Sequence, residues 1–220
     1  ALRKIKEDEV AGAVRCLEQV GEVDPPHVVL PLTVEMEKPR LITDARFINL
    51  WCDPDPFNLD SVGQVPDTFR RDRDLGNYDH KSGYHAYSCV EEEQGFFGFE
   101  IGGYYYVFAA GCFGWSCMPE IYHVAHMALL EFAQKWFAIP SLGYLDDAIC
   151  GSTWGVDDDD STIRATAEFP LDMLLWLNFL AGYTMSIKKS ILEPCKNIVW
   201  LGVLIDADRN MLFIPPTKKD

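Results

Sequence analysis

The segment Leu142-Gly143-Tyr144-Leu145-Asp146-Asp147-Ala148-Ile149-Cys150 carries two adjacent carboxylates between two apolar arms. This pattern is typical of a β-hairpin that holds its charge at the tip. Because side chains alternate along a strand, only one of the two carboxylates can point squarely at a given site. A buried carboxylate pair costs free energy unless cations neutralise it. The alternative is a solvated Asp-Asp turn, which is common, so a further observation has to decide.

A third carboxylate supplies that observation. Asp79 ends a strand-like stretch and is followed by His80-Lys81-Ser82-Gly83-Tyr84. Three aspartates from two neighbouring strands can hold two divalent ions about 3.5–4 Å apart, which lowers the pKa of an attacking hydroxyl and neutralises a leaving pyrophosphate. Hard oxygen ligands suit Mg²⁺, with Mn²⁺ as a looser substitute. The sequence therefore predicts a two-ion Mg²⁺ site formed by Asp79, Asp146 and Asp147.

The rest of the chain predicts helices interspersed with antiparallel strands. Apolar spacing favours helices over 6–20, 121–137 and 162–181, strands over 28–34 and 41–50, and hairpins over 95–109 and over 198–205 with 211–214. No strand–helix–strand rhythm is present, so the predicted class is α+β rather than a parallel α/β sheet.

Composition limits the possible partners and compartments. The 220 residues include 34 acidic and 19 basic side chains, for a net charge of −15, which argues against broad attraction to nucleic acid or anionic lipid. Seven scattered cysteines without a Cys-x-x-Cys pair indicate reduced thiols. No apolar run reaches membrane-spanning length and the start lacks a signal-peptide pattern, so we expect an intracellular protein, cytoplasmic or nuclear, with no membrane partner.

In their order, these motifs resemble the fingers and palm of a reverse transcriptase from a retrotransposon, of the long-terminal-repeat or tyrosine-recombinase type, over residues 6–214. The segment 38–49 resembles the family's Arg-x-x-x-Asp-x-Arg-x-x-Asn stretch. The resemblance implies that Arg40 grips the triphosphate, with Lys38 as a second candidate. It also implies that Asp44, Arg46 and Asn49 hold the fingers sheet together.

The palm motifs carry the predicted catalytic residues. Asp79-x-x-x-Gly-Tyr84 is similar to the motif that supplies one metal aspartate and an aromatic side chain beneath the sugar. Tyr84 would then exclude a 2′-hydroxyl, and the main-chain carbonyl of His80 would be an additional metal ligand. Tyr144-Leu145-Asp146-Asp147 matches the family's Tyr-x-Asp-Asp signature, which assigns Asp146 and Asp147 to the metal ions.

The remaining matches concern substrate positioning and proton transfer. The turn 113–119 resembles a motif in which Phe113 stacks near the incoming nucleotide and Gly114 allows close approach of the template or base. In the segment 182–190, either Lys188 or Lys189 would protonate the leaving pyrophosphate, and spacing cannot choose between them. Residues 199–203 resemble the hairpin that grips the primer end.

The resemblance implies a right-hand polymerase fold of the α+β class. The fingers would comprise 1–78 with part of 91–112. The palm would comprise 79–90 and 113–220, with an antiparallel sheet backed by helices and ending in the primer-grip-like hairpin. A thumb is absent from this stretch of sequence.

The implied activity is RNA-directed DNA polymerisation, with an RNA or DNA template–primer and deoxynucleoside triphosphates as partners. A downstream thumb and ribonuclease H region, or a protein partner, would help to hold the nucleic acid. Between residues 82 and 187 there are 14 acidic and only two basic side chains. That excess motivates an alternative, a host-adapted and catalytically silent domain that acts as a protein interaction module.

Overall fold

The computed structural model describes residues 2–35, 40–69, 71, 73–152 and 160–215, with the side chains of 34, 35, 40 and 160–167 left out of that description. These residues form two compact units. The first unit comprises 1–57 with 84–122, and the second comprises 58–83 with 123–220. The fingers and palm boundaries expected from the sequence stay a prediction, because compactness alone does not define functional subdomains.

The first unit is built on an antiparallel sheet with strand order β1-β6-β5 and on a separate β2-β3 ribbon. Phe99 is fully buried and its ring contacts those of Tyr106 and Phe108, and this aromatic group packs in one core with Ile5 and Val14. Burying large aromatic side chains is the main source of stability for a unit of this size. Its elements are α1 (Leu2–Val10), β1 (Val14–Gln19), β2 (Leu32–Glu35), β3 (Arg40–Thr43), α2 (Arg46–Asn49), β5 (Gly98–Ile101) and β6 (Tyr104–Phe108), with 3₁₀ turns at Gly83–Ala86 and Glu91–Phe97.

Two sequence predictions fail in this unit, and the strand predicted over 28–34 begins only at Leu32. The expected helix over 6–20 ends at Val10, and after Gly12 the chain continues as β1. Gly12 has a φ of +75°, and Val14 then pairs with Phe108 of β6. Val10 is 89% exposed, so the apolar spacing that suggested one helical face was coincidental. Likewise, the expected strand over 41–50 ends at Thr43 and gives way to the short helix α2.

The second unit contains an antiparallel sheet with strand order β7-β8-β4-β9. Successive side chains of β8 enter different cores. Ala148 and Cys150 pack with residues of the long helix α5 (Asp160–Leu180) such as Leu171, whereas Ile149 packs with Trp200. A sheet that is buried on both faces accounts for the apolar run after Asp147. The strands of this unit are β4 (Leu75–Asp79), β7 (Ser141–Tyr144), β8 (Asp147–Gly151), β9 (Ile191–Cys195), β10 (Asn197–Trp200), β11 (Val203–Asp206) and β12 (Met211–Phe213).

The two long helices of the chain, α4 and α5, agree with the sequence patterns. α3 spans Val65–Thr68 after a 3₁₀ turn at Val62–Gln64, α4 spans Met118–Phe137, and α5 spans Asp160–Leu180. The predicted closing hairpin is a three-stranded sheet, β10-β11-β12. Antiparallel sheets with helices packed against them confirm the α+β class. In the ranges that the structure describes, no helix is both long and apolar enough to cross a membrane.

Candidate active site

The predicted carboxylates meet at one end of the β4-β8 pair. Asp79, the last residue of β4, lies directly opposite Asp147, the first residue of β8. The backbone N–H of His80 donates a hydrogen bond of 2.9 Å to the carbonyl oxygen of Asp146. Asp79 is buried, whereas the two turn aspartates are half-buried. The antiparallel register therefore brings Asp79 to the two turn carboxylates, which follow it by more than sixty positions in the sequence.

The turn between β7 and β8 has a strained backbone. Tyr144 pairs with Asp147, so Leu145 and Asp146 form the connection between the two strands. Leu145 has a φ of +50°, in the left-handed region that residues with a Cβ atom disfavour. Its carbonyl oxygen accepts a hydrogen bond of 2.7 Å from Nδ1 of His126 on α4. The turn thus depends on support from outside the hairpin.

The carboxylates repel one another. Burial and, after it, the negative charges of Asp146 and Asp79 together raise the pKa of Asp147 to about 6. A hydrogen bond between Asp147 and Asp79 acts in the same direction, while Lys189 acts against it. The raised pKa means that the ionised form of Asp147 is disfavoured here, and a cation beside the carboxylates would favour it.

Lys189 is the lysine that contacts these carboxylates. Its Nζ lies 2.8 Å from both carboxylate oxygens of Asp79. Ser190 and Ser186 fasten the same segment to the end of β4. Ser190 Oγ accepts from the Asp79 backbone N–H, and the Ser186 N–H donates to the Asp79 carbonyl. Lys188 is exposed. The structure thus separates two lysines that spacing could not distinguish, although the general-acid role itself stays a prediction.

The donor set suits Mg²⁺ in its chemistry. Carboxylate oxygens are the ligands that this ion prefers, and the charges of Asp146 and Asp79 both contribute to the raised pKa of Asp147. Across the described ranges, no three His, Cys, Asp or Glu side chains converge into a ready-made metal centre. Lys189 instead supplies the positive charge beside Asp79.

A layer of buried polar side chains under the turn was not anticipated from the sequence. Tyr78, His80, His126 and Asn178 are each at least 98% buried. Their rings and amides contact one another between the sheet and the helices α4 and α5. The sequence did contain one indication of this layer, because His126 and Asn178 stand among the apolar core-facing residues of the two long helices. The spacing of the residues alone does not show that the two side chains belong to one layer.

The residues predicted to contact the nucleotide lie in the first unit. The Tyr84 and Phe113 rings contact each other at a centroid distance of 4.9 Å, and Tyr122 packs edge-on against Tyr84. Arg40 pairs with Glu35 through the backbone, its side chain is not described, and Lys38 lies outside the described residues.

The loop around Gly114 is held by the side chain of Asn49. Gly114 has a φ of +106°, and a Cβ atom there would collide with the carbonyl oxygen of Thr43. The Asn49 side chain donates to the Gly114 carbonyl and accepts from the Ser116 N–H, both at 2.9 Å. Asn49 therefore holds this loop.

Asp44 and Arg46 form an ion pair of 2.5 Å with each other, and the Arg46 side chain is 88% exposed. This pairing raises the pKa of the Arg46 guanidinium and lowers that of the Asp44 carboxyl.

Comparison with known proteins supports the fold. No protein-family model and no curated protein matches the sequence. Among solved structures, the chain is similar to a foamy viral protease-reverse transcriptase dRH in complex with double-stranded DNA, with a TM-score of 0.72, 18% identity, and coverage of 94% of this chain and 33% of that one. Similar matches are the foamy viral protease-reverse transcriptase with double-stranded DNA (TM-score 0.72, 16% identity, coverage 98% and 41%) and with an RNA/DNA hybrid (TM-score 0.72, 16% identity, coverage 98% and 26%).

These matches show that the chain has a reverse-transcriptase-like fold, as the motifs predicted. At these identities they establish the fold alone, and the chain spans less than half of each matched chain. They do not confirm the long-terminal-repeat or tyrosine-recombinase subtype.

Proposed function

We propose that this chain is the fingers and palm part of an RNA-directed DNA polymerase from a long-terminal-repeat or tyrosine-recombinase retrotransposon. The observation that carries the proposal is the register of β4 against β8, which places Asp79 opposite Asp147 with Asp146 next to it in the turn. In a reverse-transcriptase-like fold, three carboxylates at this strand end form the donor set that two-metal nucleotidyl transfer requires.

The proposed metal ligands are Asp79, Asp146 and the main-chain carbonyl of His80, with Asp147 in support. Two Mg²⁺ ions, or Mn²⁺ in their place, would lower the pKa of the primer 3′-hydroxyl and offset the charge on the transferred phosphate. We assign Lys189, rather than Lys188, to protonation of the leaving pyrophosphate, because its Nζ already reaches the carboxylate cluster.

Substrate positioning is assigned to the first unit. Arg40, with Lys38 as a second candidate, binds the triphosphate. Tyr84 excludes the 2′-hydroxyl of a ribonucleotide, and the contact between Tyr84 and Phe113 supports a shared aromatic surface for the sugar and base. Gly114 keeps the adjacent backbone free of a side chain, so that the template or base can approach it.

The proposed partners are an RNA or DNA template–primer and deoxynucleoside triphosphates, by analogy with the nucleic acids bound to the matched structures. A net charge of −15 predicts weak binding that falls steeply with salt. A downstream thumb and ribonuclease H region, or a protein partner, would supply the missing phosphate contacts. We also propose an intracellular location, cytoplasmic or nuclear, which the free thiols favour.

Primer extension tests the proposal. A homopolymer template–primer, deoxynucleotides and Mg²⁺ or Mn²⁺ would be supplied at low salt, both to this chain and to the chain extended by its downstream region. We expect deoxynucleotide incorporation that Asp146→Asn reduces to background. Asp172→Asn, which removes the same charge from an exposed position on α5, should leave it unchanged. No incorporation by either form, or full activity in Asp146→Asn, would overturn the proposal.

A second candidate is the catalytically silent interaction module. The observation in its favour is the exposed apolar end of α5, where Trp176, Phe179 and Leu180 are 64%, 75% and 61% exposed. Large exposed aromatic side chains are enriched at protein–protein interfaces. Calorimetry separates the two functions. Binding of Mg²⁺ with a deoxynucleotide that is lost in Asp79→Asn supports the polymerase. No such binding, together with a stable protein complex that Trp176→Ala disrupts, supports the module.

A further inference from the structure

Hydrogen bonds link four buried side chains beneath the carboxylates into one continuous chain. His80 Nε2 lies 2.7 Å from Oδ1 of Asn178, and the Asn178 amide also hydrogen-bonds the Tyr78 side chain. The Tyr78 hydroxyl lies 3.0 Å from Nε2 of His126, and Nδ1 of His126 lies 2.7 Å from the carbonyl oxygen of Leu145. Buried polar groups of this kind are retained at a free-energy cost unless each finds a partner.

The chemistry of the hydrogen-bond partners determines which ring nitrogen of each histidine carries the hydrogen. A carbonyl oxygen can only accept, so Nδ1 of His126 carries the hydrogen and donates it to Leu145. In a neutral ring the other nitrogen is then an acceptor, and the Tyr78 hydroxyl donates to it. By the same reasoning Nε2 of His80 donates to Asn178, whose amide nitrogen donates to the carbonyl one helical turn earlier. Burial lowers the pKa of His80 to about 4 and that of His126 to about 3, so both rings are neutral at pH 7.

The two ends of this chain border the catalytic carboxylates. His80 directly follows Asp79, and Leu145 directly precedes Asp146. The His80 backbone N–H closes the loop by donating to the carbonyl oxygen of Asp146. A displacement of the turn at Leu145 therefore moves Asp146 away from the end of the strand that carries Asp79.

We propose that His126 is a positioning residue that holds Leu145 in its left-handed conformation through Nδ1, and thereby holds the turn carboxylates against Asp79 in the geometry that divalent cations require. This rests on the proposed function, since it takes the carboxylates as metal ligands. The support is the full burial of His126, the 2.7 Å bond and the φ of +50° at Leu145. That conformation costs a leucine free energy, and a compensating contact offsets the cost.

Two nearly isosteric substitutions separate the two ring nitrogens. In His126→Asn the side-chain nitrogen occupies the place of Nδ1 and keeps the donor to Leu145. In His126→Gln the longer amide reaches the place of Nε2, keeps a partner for Tyr78 and loses the bond to Leu145. Each variant removes one buried hydrogen bond, so denaturant unfolding should show similar losses of stability. A role in packing alone would affect both variants equally.

Two measurements report on the carboxylates without requiring activity. The first is the affinity for Mn²⁺ alone, measured by electron paramagnetic resonance. The second is the rate of hydrogen exchange of the His80 backbone N–H in metal-free protein. This rate rises when Asp146 moves away, because the hydrogen bond from the His80 N–H to the Asp146 carbonyl then breaks. We expect His126→Gln to weaken Mn²⁺ binding by about tenfold or more, the range typical of residues that orient metal ligands, and to accelerate His80 exchange by a similar factor. His126→Asn should stay within about threefold of wild type in both measurements.

Equal effects of both variants, or no effect of either, would overturn the positioning role while leaving the polymerase proposal intact. If wild type fails to bind Mn²⁺ but His80 exchange still accelerates only in the glutamine variant, the positioning role stands and the two-metal function fails.

¹⁵N NMR of the wild-type imidazoles requires no variant to fold. We expect the Nδ1-protonated tautomer at His126, and the Nε2-protonated form would contradict the inference.

Discussion

Replacing Asp147 by asparagine should make this protein more stable at neutral pH. The carboxyl is half-buried, and it faces the negative charges of Asp146 and Asp79. Asparagine has nearly the same shape, keeps a donor for the hydrogen bond with Asp79, and carries no charge. Because the burial penalty and the repulsion both act only on the ionised carboxyl of Asp147, the gain in stability should depend on pH.

The magnitude follows from the pKa. A native value of about 6 against an ordinary 3.8 corresponds to roughly 3 kcal/mol if it is converted fully at about 1.4 kcal/mol per pKa unit. Asp147 remains partly exposed to solvent, which screens the repulsion, so we expect about 1 kcal/mol. Since the native pKa lies above the unfolded one, the folded state binds the proton more tightly. Stability is therefore lost as pH rises from about 4 through about 6.

Urea denaturation of wild type and Asp147→Asn, in buffer with EDTA, measures this difference at pH 4 and pH 8. We expect the two proteins to be equally stable at pH 4, and the variant to be more stable by about 1 kcal/mol at pH 8 with an unchanged m-value. Asp172→Asn is the matched control, because it removes the same charge from an exposed position. Its effect should stay within about 0.5 kcal/mol at both pH values.

Two results would refute this reasoning. If Asp147→Asn were no more stable than Asp172→Asn at pH 8, the three carboxylates would not repel one another in the folded protein. If the variant gained the same stability at both pH values, the effect would come from packing rather than from charge.

Three further predictions concern other parts of the molecule. Under the proposed mechanism, Lys189→Met should slow single-turnover primer extension by about a hundredfold, whereas Lys188→Met should leave the rate unchanged; equal losses would contradict the assignment of the proton donor. Gly114→Ala should destabilise the protein in urea by about 1–3 kcal/mol more than Gly12→Ala, because both glycines have a positive φ but only Gly114 faces a backbone oxygen. Phe99→Ala should cost about 3–5 kcal/mol by the same measurement, and a loss below about 1 kcal/mol would show that this fully buried ring does not belong to a close-packed core.

The local spacing of apolar residues was sufficient to predict those helices and hairpins whose stability comes mainly from their own residues. The hairpin around Asp146-Asp147 and the long helix α4 appear where apolar spacing predicted them. The helix expected over 6–20 was wrong because Val14 gains more from pairing with β6 than from continuing α1. That partner lies 94 positions away, and no window of helical length includes it.

The sequence alone determined that two carboxylates stand between apolar arms, that a third ends a strand, and that the motif order matches a reverse transcriptase. These are properties of residue type and spacing. Only the tertiary structure decided that Lys189 rather than Lys188 reaches Asp79, and that buried histidines support the turn. The contacts that decide these points join residues 19 to 110 positions apart. Such contacts form because polar groups buried beside the sheet need hydrogen-bond partners. Which residues become those partners depends on how the helices pack against the sheet, and local sequence does not show this.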